Sequence, residues 1–180
     1  MKISVIAALF SCATVLAACQ GVQHATPSGK PEVTIAAPSA DVKTAFVGTL
    51  TNLGYTMTKD STFQIAMERP IDNVMANVLL SSSYDPTVEG RLTATFLEMG
   101  GNTRVTTDMG VVRNGGSAFE AVTPVHNSPD SVGLQMLLQE IKTGLESGQP
   151  VAVVVAAASQ RGIADRAKAA KAAALPKPTT

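Results

Sequence analysis

The sequence predicts an α+β fold, an antiparallel sheet of about five to six strands with two helices packed on one of its faces. Three observations predict it. Several short segments alternate apolar and polar residues, brief turns rich in glycine, proline and asparagine separate them, and two longer segments repeat apolar residues at helical spacing. Short connections join antiparallel neighbours, and a helix with a single apolar stripe has to bury that stripe against the sheet.

Residues 33–35 (Val33-Thr34-Ile35) alternate and predict a first short strand. Pro38-Ser39 opens a helix, with Ser39 as N-cap and Asp41 in the first turn, where the helix dipole favours an anion. Val42, Ala45, Phe46, Leu50 and Leu53 share one face of it, and Gly54 is placed to take the left-handed position that ends it. Extended structure resumes at 55–58. Phe63, Ile65 and Met67 alternate with Gln64, Ala66 and Glu68 until Arg69-Pro70, and residues 74–82 are apolar on both parities, as in a central strand. Tyr84-Asp85-Pro86-Thr87 reads as a turn. Residues 91–99 and 103–113 are threonine-rich and alternating, and Gly100-Gly101-Asn102 between them predicts a tight hairpin with Val105, Thr107, Met109 and Val111 on one face. Residues 119–125 suit one more short strand.

The second helix starts at Ser128-Pro129-Asp130, in the favoured order of cap, first-turn proline and first-turn acid. Leu134, Leu137, Leu138, Ile141 and Leu145 form its apolar face, and Gly148-Gln149-Pro150 stops it. Beyond that, residues 151–158 are an apolar run, and 163–174 an alanine, lysine and arginine pattern of good helix propensity. This part is expected to be a basic, partly helical tail, free of the domain or reaching toward an anionic partner.

The N-terminus carries an address. Met1-Lys2 precedes an apolar or small stretch over residues 3–18, shorter than the roughly 20 residues of a spanning helix and suited to a secretory signal. It ends in Leu16-Ala17-Ala18-Cys19. These four residues match the lipobox of bacterial lipoproteins, which the chain resembles here. The resemblance implies cleavage before Cys19, lipid on its sulfur and attachment to a membrane, with Gln20 in place of aspartate favouring the outer membrane, facing the periplasm. Cys12 is lost with the signal, so a lipidated Cys19 leaves no free thiol and no disulfide. The predicted organisation is a signal peptide at 1–18, a lipidated cysteine with a flexible tether at 19–32, an α+β domain at 33–148 and an alanine-rich basic tail at 149–180.

Composition excludes several classes of work. Removing Lys2 leaves 13 basic and 14 acidic side chains, and five of those bases lie from Arg161 onward. The rest of the chain is mildly acidic, which argues against nucleic acid as a partner, since phosphate binding needs clustered Lys and Arg. There is no tryptophan and aromatics make up 4%, a poor supply for stacking bases or sugars. His24 lies in the tether and His126 in a loop, where both are expected to be solvated. No cluster of His, Cys, Asp and Glu has metal-ligand spacing, so no metal or cofactor is expected. The acids Glu68, Asp72, Asp85, Glu89, Glu98 and Asp108 are scattered, and a carboxylate pair for glycoside hydrolysis ranks last among the readings. Met67, Met75, Met99, Met109 and Met136 are read as core filling more than as a binding surface.

The element order over roughly residues 33–147 resembles helix-grip domains, in which a long helix lies against a curled antiparallel sheet. Small envelope lipoproteins use such domains, including one subunit of the outer-membrane barrel-assembly machinery. What this implies is a non-catalytic domain that binds or stabilises another envelope component, with a carrier of small apolar ligands, held between sheet and helix, as the alternative.

Overall fold

The computed structural model describes residues 21–71 and 88–174. The strand expected at 74–82, the turn at 84–87, Met75, Asp72, Asp85, the signal segment and Cys19 lie outside them. In chain order the described elements are β1 (Glu32–Ile35), α1 (Ser39–Asn52), β2 (Thr56–Asp60), β3 (Gln64–Pro70), β4 (Glu89–Met99), β5 (Asn102–Arg113), β6 (Ala121–Pro124), α2 (Asp130–Glu146), α3 (Val151–Ala158) and α4 (Ile163–Ala174). The fold is α+β, as the alternation and the short turns predict.

All strand pairs are antiparallel, in the order β1-β5-β4-β3-β2, and β6 also pairs with β5. Since β4 runs along one edge of β5 from Met99↔Asn102 to Glu89↔Val112, β1 and β6 must share the other edge end to end. There β1 takes Thr103–Thr106 and β6 takes Gly110–Arg113, leaving a gap at Thr107–Met109. The hairpin between β4 and β5 turns on Gly100 and Gly101, at φ of 57° and 82°. A two-residue turn of this kind needs positive φ at both positions, which glycine supplies without a Cβ penalty.

The helix faces are those their spacing predicts. Val42, Ala45, Phe46 and Leu50 of α1 and Leu134, Leu137, Leu138 and Ile141 of α2 are buried against Val33, Ile35, Ile65, Met67, Leu92, Phe96 and Val105 of the sheet. Phe46 meets Phe96 edge to face, with ring centroids 6.0 Å apart and planes at 74°. Phe63 departs from its expected place: Ile65 and Met67 are buried, whereas Phe63 precedes β3 and is 63% exposed. Of the other methionines, Met109 packs against the core and Met99 is 46% exposed.

Both caps differ from expectation. The Ser39 and Ser128 hydroxyls cap neither helix. The amide of Ser39 donates instead to Glu98 Oε2 at 3.1 Å, so a carboxylate from β4 sits at the positive end of α1. At the other end Tyr55 N donates to Leu50 O and Gly54 N to Thr51 O, a Schellman closure with Gly54 at φ 85°.

The largest correction concerns the C-terminal segment. It is not a solvated tail: α3 and α4 pack on α1 and α2 as a second tier of helices, and Val154, Ala158 and Ile163 join the core. Glycines make the docking possible. A Cβ on Gly133 would fall 1.9 Å from Ile163 O, one on Gly144 2.8 Å from Val154 Cγ2, and one on Gly48 3.1 Å from Val155 Cγ2. Nor is the segment a free basic arm. Arg166 is fully buried, donating to Glu140 and to the carbonyl oxygens of Ala158 and Arg161, and Arg161 also reaches Glu140.

Candidate functional site

A hydrophobic core cluster occupies the space between sheet and helices, and the candidate sites among the described residues lie at its margins. The first is the corner where β6 leads into α2, opposite the gap on β5. Residues 21–31, expected as a flexible tether, are bound there. Val22 N donates to Asn127 O at 3.0 Å, and Thr107 N to Pro31 O at 2.9 Å. Thr107 Oγ1 donates to the same carbonyl at 2.9 Å, and Lys30 forms an ion pair with Asp108. Within the segment Thr26 Oγ1 donates to Lys30 O at 2.6 Å, closing it into a compact turn. The backbone groups that the β1–β6 gap leaves without a strand partner are thus used by the leader and by Val125 N, which donates to Met109 O at 2.8 Å.

His24 is therefore not free in solvent. Its Nε2 lies 2.8 Å from Ser131 Oγ in the first turn of α2. A histidine beside a serine raises the question of a nucleophile, and the geometry answers it. Ser131 Oγ donates its one hydrogen to Ser128 O at 2.7 Å, so His24 Nε2 has to be the donor. Ser131 is also fully buried, beyond the reach of a substrate, and burial pushes the His24 imidazole below its usual pKa. The pair is a clasp. His126, half-buried, places Nδ1 3.6 Å from Asp108 Oδ1, too long for a hydrogen bond, and Ser128 Oγ is buried with no partner among the described residues. His126, Ser128 and Asp130 do not assemble a triad.

The second margin is an end cavity of about 420 Å³ beside this corner. Leu92, Met109, Val111 and Val125 supply apolar lining, and Tyr55, Arg69, Ser128 and Asp130 the polar groups. Arg69 stacks over the Tyr55 ring at 5.0 Å from its centroid, and burial is the main cause of the raised Tyr55 phenol pKa. A third hollow, of about 560 Å³, runs between α2 and α3 beside Met136, Thr143 and Ala157.

The open face of the sheet is polar. Arg104 holds the buried Glu32 with two bonds of 2.8 and 2.9 Å, which keeps that carboxyl below its usual range. Arg91 joins Glu68 and Glu120, and its bond to Glu120 measures 2.6 Å. This is where the fold brings two carboxylates together. Glu120 is held down to about 2, chiefly by Arg91, whereas an acid catalyst needs a raised pKa. Among the described residues no group of three or more His, Cys, Asp and Glu could hold a metal ion.

Sequence reasoning missed the His24–Ser131 clasp and the buried Arg166. The available signal was the glycines inside helical patterns at 48, 133 and 144, which mark close approach of another element. No protein-family model matches the chain, and a search of curated proteins finds no match either.

Proposed function

We propose that this chain is a bacterial envelope lipoprotein, anchored by lipid on Cys19, whose non-catalytic domain binds or stabilises another envelope protein at the periplasmic side of the outer membrane. The observation that carries this reading is Leu16-Ala17-Ala18-Cys19 at the end of an apolar run that follows Lys2. Several acyl chains, each worth about 0.8 kcal/mol per buried CH₂, anchor a protein stably without a spanning helix. Among the described residues no helix is long and apolar enough to cross a membrane. Binding suits the domain better than chemistry, because His24, Ser131, Lys30 and Asp108 at its corner and Glu32, Arg104, Arg91 and Glu120 on its open face are engaged with one another. Nucleic acid is a poor partner for it: Lys30, Arg91, Arg104, Arg161 and Arg166 are each paired with a carboxylate.

Labelling with radioactive palmitate tests the anchor. The wild type takes up label and Cys19→Ser does not; label on the variant refutes the anchor. Crosslinking in cells through photoreactive residues on the exposed surface then tests the partner, with a discrete protein adduct expected. Only self-adducts, from protein correctly sorted to the membrane, overturn the binding role.

A second reading, a carrier of small apolar ligands, rests on the end cavity. Of the hollows described, that cavity of about 420 Å³ is the one lying between the sheet and the start of α2, and its size suits a small ligand. Titration with cis-parinaric acid checks it. A saturable fluorescence rise that Val111→Phe abolishes supports the carrier, and a non-saturating response excludes it.

A further inference from the structure

A lipid on Cys19 usually leaves open how a domain sits on its membrane, because a flexible tether lets it tumble. Here the tether is spent. Only Gln20 separates Cys19 from Gly21, and the two residue steps span about 7 Å at full extension. From Val22 onward the chain is fixed to the domain, through the Asn127 carbonyl, the buried Ser131 hydroxyl, Asp108 and Thr107. A Cβ added at Gly21 would meet Asn127 Cβ at 2.9 Å, so the backbone lies directly on that loop. The residues on either side of Asn127 suit a lipid interface: Val122 is 45% exposed, Pro124 and Pro129 are exposed, and Val125 is half-buried. The cation nearest the attachment, Lys30, is neutralised by Asp108, so contact does not depend on anionic headgroups.

Resting on the Cys19 reading, we propose that residues 21–31 act as a clip and not as a spacer, seating the β6–α2 corner (residues 122–129) on the bilayer that carries the lipid. The partner surface is the lipid itself. The opposite edge of the sheet, β2, lies four strand spacings away, about 19 Å, and points toward the periplasm.

The test uses the full lipidated protein in vesicles of phosphatidylethanolamine and phosphatidylglycerol containing a lipid with a nitroxide on its headgroup. Because the mature chain has no other cysteine, single cysteines at Val122, Asn127 and Lys59 accept a fluorophore cleanly. Quenching at V122C and N127C is expected to exceed that at K59C at least threefold. Equal quenching at all three sites, in protein that floats with the vesicles, overturns the clip and leaves the anchor intact. Failure to float refutes the anchor instead. Val22→Pro removes the amide that bonds Asn127 O and is remote from the core. It should reduce quenching at N127C at least twofold without changing flotation; undiminished quenching also overturns the proposal.

Discussion

Arg166 and Glu140 tie the two tiers of helices together: the fully buried guanidinium of α4 sets Nη2 2.5 Å from Glu140 Oε2 on α2. The same group donates to Ala158 O at 2.7 Å, capping the end of α3. Removing the arginine takes a donor from two carbonyl oxygens, those of Ala158 and Arg161, and from Glu140 Oε2, while Arg161 still holds Glu140 Oε1. Arg166→Met should lower the unfolding free energy by about 2–4 kcal/mol, and Glu140→Gln by somewhat less because Glu140 is partly exposed. Urea unfolding followed by circular dichroism checks both, and a midpoint unchanged by R166M would show that the pair carries no load.

The glycine contacts predict an ordering. Gly133→Ala drives a methyl into the Ile163 carbonyl at 1.9 Å, where only backbone can yield. Gly144→Ala meets Val154 methyls at 2.8 Å, which a rotamer change relieves in part. The first should cost about 3 kcal/mol or more and the second about 1–2 kcal/mol. Melting temperatures of the two variants decide it, and the reverse order would count against the helix packing described.

Glu98 predicts an effect at a distance from its own strand. Glu98→Gln keeps an acceptor for Ser39 N but removes the charge at the start of α1, and should cost about 0.5–1 kcal/mol at low salt. The loss should shrink in 1 M sodium chloride, where such charge interactions are screened.

The acid limb of stability should depend on Glu120 and Glu32. Both carboxyls lie below their ordinary value of 4.5 in the folded chain, Glu120 at about 2, because arginines bond the ionised forms. A depressed carboxyl contributes stability above its unfolded pKa and loses it as pH falls toward the folded one. Glu120→Gln should therefore flatten the drop in melting temperature between pH 4.5 and about 2, modestly because Glu120 is near solvent, and leave pH 7 to pH 8 parallel to wild type. A full-sized acid limb in E120Q would show that Arg91 adds nothing there.

The two helix faces and the β4–β5 hairpin were legible because their signals are local: apolar spacing over one helix, and a pair of glycines between alternating runs. Arg166 was not, since its partner Glu140 lies on another helix and a stretch of alanines with scattered cations reads as a solvated tail. His24 looked free for the same reason; Ser131 is 107 positions away in sequence. The proposed lipobox is a local signal of the same kind, since the peptidase and transferase it would serve recognise a contiguous stretch of chain. The corner that holds the leader is assembled from two separated segments, Thr107–Asp108 and Asn127–Ser131, and no local pattern announces it.

The seating of Ile163 on Gly133 also has a consequence in time. A ribosome makes every described strand before it reaches residue 163, so the flank of α2 that α4 covers stays bare until synthesis has passed that point. A nascent chain in this condition is an incomplete core, slow to lock and open to chaperones. Under the proposed export, in which a chain crosses a membrane before folding, that delay would keep it competent for passage until the later helices had followed the rest across.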